Sequence, residues 1–537
     1  MASAPPWPNL PQDRTRAQDP MHRREFLKGL AVASTATATG LSATLLGERE
    51  ARAFGELPED PAAAAGMVPK AQQAQAILEI FLYGGVSQFE SFYCVPEHGA
   101  DTKTHWHLYA AQASAAATAC GFTQPPLQGF AADANGKTVH FGPNVMPLRL
   151  RPDVMARTRV SITKHDLEPH EAAIPLMLGG RGLGDPALSG LGAHIQRFYQ
   201  ERELAAARLS STPQALAGRA PYAYVLQPNS LNSIPTDNLR AATAIGLHPG
   251  SARPLSLKID AGPEVAAQLA RGNLAGHRPA YDSLVDHYVA HYRQRLRWRG
   301  EGQPLRSPRV HDLAAAAASV AHADAIAAVL QPSFFTALPS NHCGKKVNSD
   351  AVTMNLKLAA HLLTHETAPA RYVCVMDGGL IPADGGGGYD SHDENPNTQA
   401  RNLTHTLGGL MAILNAPGEN DPTKLDLDKT LIVLTTEFGR APQKQGKAGR
   451  NHWPYGFPVV LIGGPVRAAQ AGVFGATGAD GHATLAASPQ ENRIAALLAV
   501  GIWPFSQEAY NVADVPGATS EADAARRVRE RQLGIFG

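Results

Sequence analysis

One stretch of the chain decides the fold: KTLIVLTTEFGR, residues Lys429–Arg440. Its continuous apolar and β-branched run predicts a strand buried on both faces, which is typical of a parallel sheet. The run ends abruptly in polar residues, Glu437 and Arg440. Because ligands bind beyond the carboxyl ends of strands in open α/β sheets, this end predicts a functional site. The alternative is an ordinary strand-to-loop junction with a surface ion pair.

Similar apolar runs recur along the chain and end in glycine or charge. They occupy residues 76–83, 159–163, 222–226, 371–376, 430–436 and 457–462. Helical patterns lie among them at residues 281–299, 312–330 and 397–416. Strands alternating with helices predict an α/β fold with a doubly wound, mostly parallel sheet. We expect residues 54–537 to form a single domain, with a helical insertion at 262–309 and a loop-rich stretch at 99–142.

The bulk composition is that of a globular protein, with 537 residues of which 44% are hydrophobic. The 48 Lys and Arg nearly balance the 47 Asp and Glu, so no net field draws the chain to nucleic acid or to an anionic membrane. No Walker A motif and no well-placed G-x-G-x-x-G occurs, which leaves a nucleotide cofactor unsupported. The 21 histidines are compatible with metal binding.

Residues 1–53 predict an export signal. A twin-arginine motif, His22–Lys28, precedes the weakly apolar segment Gly29–Leu46 and an A-x-A cleavage pattern at Ala51–Ala53. The segment is too short, and too rich in Ala and Thr, for a stable membrane span. We therefore expect the twin-arginine export machinery as a partner and a periplasmic or extracellular protein beginning near Phe54. Met21 is an alternative start.

The cysteines are four in number, without C-x-x-C spacing: Cys94, Cys120, Cys343 and Cys374. In an oxidising compartment Cys94 and Cys120 can pair. Cys374 lies in a predicted buried strand, where we expect it to act as a small hydrophobic residue.

Two loops that follow predicted strands carry candidate ligands. In Asp390-Ser391-His392 a carboxylate and an imidazole can reach one divalent cation, and the glycines at 385–388 allow the backbone to fold around it. The other loop is Gly84–Glu90, whose paired glycines allow either close approach to a ligand or a tight turn. Both interpretations of the second loop stay open.

Together these elements resemble the exported bacterial proteins classed as domain of unknown function fifteen-oh-one. The likeness runs from about Ile77 to Gly481. It is carried by the twin-arginine leader, Phe81–Gln88, Tyr389–His392, Glu437–Arg440, Gly449–Trp453 and Val473–Thr477. That family is grouped with the alkaline phosphatase and sulfatase superfamily. The resemblance implies that superfamily's α/β core and a divalent metal ion (Zn, Ca, Mn or Mg) held at the strand ends.

The resemblance also implies a ligand set. By superfamily order, Asp390 and His392 supply one metal half-site, Glu437 is the acidic group of the next ligand pair, and His452 is the late histidine. Glu90 follows the Gly-Gly-x-Ser-Gln element, where the family usually has aspartates.

The helix that matches the superfamily's nucleophile helix, residues 169–180, offers His170 where those proteins have Ser, Thr or Cys. An imidazole can act as a nucleophile or as a general base. It is equally able to bind a metal, so its role stays open.

The leading functional hypothesis is a periplasmic metal-dependent hydrolase of phosphate or sulfate esters, acting on a small-molecule or glycan ester. Arg440 or Arg450 would offset charge on the anionic oxygens through a bidentate fork. The rival class is a non-catalytic member of the same fold that binds an envelope glycan or a protein, which the absence of a hydroxyl or thiol at the helix start supports. An exported oxidoreductase is supported by the export route alone.

Overall fold

The computed structural model describes residues 54–99, 109–183, 185, 188–209, 220–227, 254–258, 280, 283–284, 287, 291, 323–335, 340–343, 345–347, 350–380, 388–506 and 509–536. The predicted export signal, the glycines at 385–387 and nearly all of the predicted insertion at 262–309 lie outside these residues. Within the described ranges, no helix combines the length and apolar character that a membrane crossing requires.

The secondary structure alternates as the apolar pattern predicts. The strands are β1 (Ala76–Leu82), β2 (Gln128–Ala132), β3 (Thr138–Phe141), β4 (Thr158–Thr163), β5 (Ala223–Gln227), β6 (Leu255–Lys258), β7 (Ser340–His342), β8 (Lys345–Val347), β9 (Tyr372–Asp377), β10 (Thr430–Thr435), β11 (Gly439–Arg440), β12 (His452–Trp453), β13 (Phe457–Gly463), β14 (Gly472–Phe474), β15 (Ala476–Thr477) and β16 (Ala483–Leu485). The helices are α1 (Pro61–Gly66), α2 (Ala110–Ala119), α3 (Met146–Arg149), α4 (Pro152–Met155), α5 (His170–Gly179), α6 (Leu191–Leu209), α7 (Ala323–Val329), α8 (Ala351–Thr364), α9 (Pro396–Ala412), α10 (Pro489–Ala499) and α11 (Glu521–Leu533).

An eight-stranded sheet forms the centre, in the order β14-β4-β13-β10-β1-β9-β5-β6. Its neighbours pair in parallel, except that β13 runs antiparallel to both β10 and β4. The prediction of a mostly parallel α/β sheet is therefore confirmed. All the predicted strand runs belong to this sheet, and the carboxyl ends of β1, β4, β9 and β10 lie at one edge.

The sheet is covered on both faces, which explains why its strands read as continuous apolar runs. Every residue of β1 and of β10 is buried. Ile77 and Phe81 face one core with residues of α5, α6, α10 and α11, whereas Leu78 and Ile80 face the other with residues of α8 and α9. Helices on both faces are what a parallel sheet requires to remove its two apolar surfaces from water.

Within the described part of residues 99–142, an alanine-rich run forms α2, and β2 pairs with β3 as an antiparallel hairpin. One expectation about the cysteines is wrong. Cys120 does not pair with Cys94: it forms a disulfide with Cys343, while Cys94 is a buried free thiol whose pKa burial raises. Cys374 is free and buried within β9, as predicted.

The buried His194 of α6 makes stability depend on pH. Its ring stacks on Phe54 with centroids 5.3 Å apart. Burial and, secondarily, the charges of Arg197 and Arg181 lower the pKa of His194 from 6.5 to about 3. The neutral ring is thus favoured by folding, so its contribution is complete above pH 6.5 and is lost as the pH falls toward the folded-state pKa.

We expect His194→Phe to remove this acid sensitivity. Between pH 6.5 and 5, the free energy of unfolding of the wild type should fall by about 2 kcal/mol more than that of the variant, at about 1.4 kcal/mol per pH unit. Urea unfolding at both pH values measures the difference. Equal losses in the two proteins would show that His194 protonates as easily folded as unfolded.

Candidate functional site

The candidate site lies at the carboxyl edge of the sheet. Residues 83–85 follow β1, Glu437 follows β10, and α5 begins at His170. The short strands β11 and β12 pair antiparallel, with Arg440 opposite His452. The loop at 388–393 crosses in front of these strand ends and brings Asp390 to the centre.

Asp390 is the residue on which the cluster converges. Its Oδ1 lies 3.0 Å from Nε2 of His392 and 3.4 Å from Nε2 of His452. The same oxygen accepts a hydrogen bond from the Arg440 guanidinium at 2.5 Å, and Oδ2 lies 3.5 Å from Nε2 of His170. Burial disfavours the charged carboxylate. The hydrogen bonds from the histidines and the charge of Arg440 outweigh burial and hold the pKa of Asp390 well below its ordinary value.

The geometry of three of these residues fits a metal site. One ligand atom from each of His170, Asp390 and His452 lies within 4.8 Å of the other two. Tetrahedral Zn²⁺ with nitrogen and oxygen ligands at about 2.0–2.1 Å has ligand atoms about 3.3 Å apart. Asp390 Oδ1 lies 3.4 Å from Nε2 of His452, and Asp390 Oδ2 lies 3.5 Å from Nε2 of His170. Both distances are close to that value. We call His170, Asp390 and His452 the ligand triad.

Hydrogen bonds at Nδ1 of His452 and of His392 orient the Nε2 atoms of both rings toward Asp390. Nδ1 of His452 lies 2.9 Å from the main-chain carbonyl of Glu168, so it donates there and leaves Nε2 as an acceptor. Nδ1 of His392 likewise lies 2.9 Å from Oε1 of Gln445. The two Nε2 atoms are 2.9 Å apart. The two facing nitrogens beside a carboxylate can share a hydrogen or bind one metal ion between them.

Glu437 orients His170 and does not enter the triad. Its Oε1 lies 2.7 Å from Nδ1 of His170 and accepts a second hydrogen bond, at 2.7 Å, from the Gly84 amide. Burial disfavours the charged imidazole. Hydrogen bonds to Asp390 and Glu437 outweigh it and raise the pKa of His170 to about 9. Without a metal, His170 is therefore an imidazolium at neutral pH that donates to both carboxylates.

Aromatic side chains fix the planes of the triad imidazoles. The buried Phe438 ring stacks on His452 with centroids 4.1 Å apart and lies 4.9 Å from His170. On its other side, His170 stacks on Tyr83 at 5.2 Å. Because the rings cannot rotate freely against these neighbours, their nitrogens are held in this arrangement.

Arg440 acts on Asp390 from a fully buried position. Its Nε donates to the carbonyl of Gly85 at 3.1 Å, its Nη1 donates to the carbonyl of Arg450 at 2.9 Å, and its Nη2 donates to the carbonyl of Gly84 and to Asp390. With these donors engaged, the guanidinium positions the Asp390 carboxylate instead of presenting a fork to solvent.

Glu90 and Arg450 are not brought to the triad. Both are buried, and they form an ion pair with an N–O distance of 2.7 Å. Arg450 also donates to the carbonyls of Ala441 and Pro442 and lies between the rings of Phe89 and Tyr109, 5.0 and 4.8 Å from their centroids. Glu90 further accepts hydrogen bonds from the side chains of Ser87 and Asn395. This pair anchors the loops around the site.

The Gly84-Gly85 turn makes room for the chain itself. Gly84 has φ of +113°, and a Cβ built there would lie 2.2 Å from the backbone nitrogen of Asp390. A side chain at this position would therefore push the 388–393 loop away from β1 and displace Asp390.

Sequence reasoning missed several supporting residues. His165, just beyond β4, lies with Nε2 2.7 Å from the Glu437 carbonyl, and Gln445 and the Glu168 carbonyl hold the outer nitrogens of His392 and His452. The Lys164-His165-Asp166 segment at the end of an apolar run was the available signal for His165. No sequence pattern marks a main-chain carbonyl as a histidine partner.

With this geometry in view, one comparison with known proteins is informative. Residues 286–497 match the family described as Protein of unknown function (DUF1501). This match confirms the predicted resemblance to that family over those residues, which include Asp390, His392, Glu437, Arg440 and His452. No curated protein and no solved structure matches the chain.

We expect Glu437→Gln to weaken metal binding without abolishing it. Residues that orient a ligand histidine typically contribute 10–100-fold in metal affinity, so a loss of about that size is expected. Competition with a fluorescent zinc chelator measures it. Glu168→Gln is the matched control, because Glu168 bonds His452 through its main-chain carbonyl, whereas its side chain accepts from Tyr455. A loss as complete as removal of Asp390 would instead make Glu437 a ligand, as the resemblance implies.

Proposed function

We propose that the protein is a metal-dependent hydrolase of phosphate or sulfate esters. The observation that carries this proposal is the convergence of possible ligand atoms from Asp390, His170 and His452, joined by Nε2 of His392. A carboxylate and neutral imidazoles are ligands that proteins use for catalytic zinc. Ca²⁺ and Mg²⁺ prefer oxygen ligands, so the imidazole-rich set favours Zn²⁺ among the predicted ions.

A divalent cation at such a site polarises an ester oxygen and lowers the pKa of a water molecule. The chain's own residues hold the ligands for this chemistry: Glu437 orients His170, Arg440 orients Asp390, and Phe438 packs against both triad rings. Helix α5 starts at His170, so its positive end adds to the field that an anionic ester meets. Arg440 and Arg450 are enclosed, and we therefore assign them positioning roles in place of direct substrate contact.

The attacking group is best assigned to water. The start of α5 carries His170 where a covalent mechanism needs a nucleophilic oxygen or sulfur. This arrangement favours a single displacement over a covalent intermediate.

The fold and the location complete the proposal. The eight-stranded α/β sheet with its site at the strand ends supports an alkaline phosphatase and sulfatase type of fold. The twin-arginine motif supports export to the periplasm or beyond. A folded, metal-loaded protein suits that route, because it carries proteins across the membrane after they have folded.

The test is a panel of aryl phosphate and aryl sulfate esters assayed with chelator-stripped protein to which Zn²⁺, Mn²⁺, Ca²⁺ or Mg²⁺ is returned. We expect turnover to return with Zn²⁺, without a burst of product in the first cycle. Metal binding without turnover of any ester would contradict hydrolysis and favour the glycan- or protein-binding alternative.

A further inference from the structure

A second group of potential ligands lies away from the triad, where α2 and the β7–β8 hairpin meet beside α9. Cys120 follows the last residue of α2, and Cys343 follows β7. The two sulfur atoms and a ring nitrogen of His342 all lie within 4.8 Å of one another. Sulfur and imidazole ligands in this number make up most of a structural zinc site.

Hydrogen bonds to α9 hold the His342 ring in place and determine which ring nitrogen carries the hydrogen. Its Nε2 lies 3.0 Å from the Arg401 carbonyl and 3.1 Å from the Thr404 hydroxyl, whose own hydrogen is donated to the Ala400 carbonyl. Nε2 is therefore the donor, and Nδ1 keeps its lone pair.

The buried pair of His405 and Asp350 packs against the His342 ring. His405 lies with its centroid 4.6 Å from that of His342, and its Nε2 is 2.8 Å from Oδ1 of Asp350. The same carboxylate caps α8 by accepting from the Thr353 amide at 3.0 Å, and it accepts from the Ser340 hydroxyl at 2.7 Å. His342 is thus fixed by hydrogen bonds to α9 and by packing against a ring that α8 anchors.

We propose that Cys120, Cys343 and His342 form a redox-controlled Zn²⁺ site that is closed by the disulfide and opened by its reduction. A dithiol reductant gives two electrons and two protons to the disulfide and becomes a disulfide itself. The two cysteine thiols then release two protons as their sulfurs bind Zn²⁺, with His342 as third ligand and water as fourth. This site does not depend on the Asp390 centre or on its proposed function.

The experiment counts zinc in the full-length protein before and after reduction by a dithiol, with the reductant removed under anaerobic conditions. The Asp390→Asn background removes the contribution of the first site. We expect about one additional Zn²⁺ per chain after reduction, together with thiolate-to-metal charge-transfer absorption when Co²⁺ replaces it.

Three variants make the test specific. Cys343→Ser should abolish the extra zinc, and His342→Gln should weaken its binding at least about 10-fold through the loss of one ligand. His361→Gln is the matched control, because that half-buried histidine of α8 bonds the Val329 carbonyl through Nε2, lies outside the cluster and should leave zinc binding unchanged. If Cys343→Ser does not fold, the comparison of His342→Gln with His361→Gln decides. Equal zinc in oxidised and reduced protein, or unchanged affinity in His342→Gln, would overturn the proposal.

Discussion

Asp390→Asn is expected to abolish metal retention while leaving the sheet folded. The substitution removes the negative charge that two triad imidazoles and Arg440 share, and it places an amide donor among lone pairs. A residue that only orients a ligand can contribute about 100-fold to metal affinity, so removing a ligand itself should lower the affinity by at least that factor. Asp390 lies in a loop in front of the strands, and asparagine keeps a carbonyl oxygen that can accept from Arg440, so we expect the sheet to stay folded.

Metal stoichiometry after purification, with circular dichroism as the folding check, measures this effect. Asp393→Asn is the matched control: it makes the same chemical change in the same loop at an exposed carboxylate outside the triad. Ester turnover should fall with metal content in Asp390→Asn and stay at the wild-type level in the control. Full metal content in Asp390→Asn would mean that the triad is not the site.

Arg493→Met is expected to lower the free energy of unfolding by about 3–5 kcal/mol. Arg493 of α10 and Glu79 of β1 are both fully buried and form an ion pair, and the Tyr372 hydroxyl donates to the other Glu79 oxygen at 2.6 Å. Without the guanidinium, a carboxylate stays in the middle of the sheet with one hydroxyl partner. That desolvated charge, more than the lost attraction, sets the cost.

The double variant Glu79→Gln with Arg493→Met separates the two causes. An amide can keep the hydrogen bond with Tyr372 and carries no charge, so the double variant should recover most of the lost stability. Arg526→Met, at an exposed pair on α11, should change stability by less than about 1 kcal/mol. Denaturant unfolding of the three variants measures these differences. A double variant no more stable than Arg493→Met would show that packing, not charge, controls the site.

The sheet could be predicted from the sequence because strands that are buried on both faces consist of continuous apolar runs. The run at 430–436 and the five like it all became strands of one sheet. The antiparallel direction of β13 could not be predicted, since a buried strand has the same composition in either direction. The disulfide was missed for a similar reason: Cys120 and Cys343 are separated by 223 residues, and cysteine spacing does not show which loops meet.

The sequence indicated which residues meet at the strand ends better than it indicated what each of them contacts. Strand ends indicated Asp390, His392 and Glu437, because polar residues there face the same edge of the sheet. Whether a carboxylate lies inside the cluster or behind one of its histidines depends on a few ångströms of loop geometry, so the sequence could not show that Glu437 bonds His170. Glu90 and Arg450 illustrate the same limit. Each is a charged residue near a strand end, yet they pair with each other in a buried position.

The central claim is that His170, Asp390 and His452 bind one metal ion. The most direct measurement is an anomalous difference map from crystals of the full-length protein grown with Zn²⁺. We expect one strong peak about 2.0–2.2 Å from a carboxylate oxygen of Asp390 and from Nε2 of both triad histidines. A map without a peak at this position, with Nε2 of His392 and His452 still in hydrogen-bond contact across a shared proton, would contradict the claim.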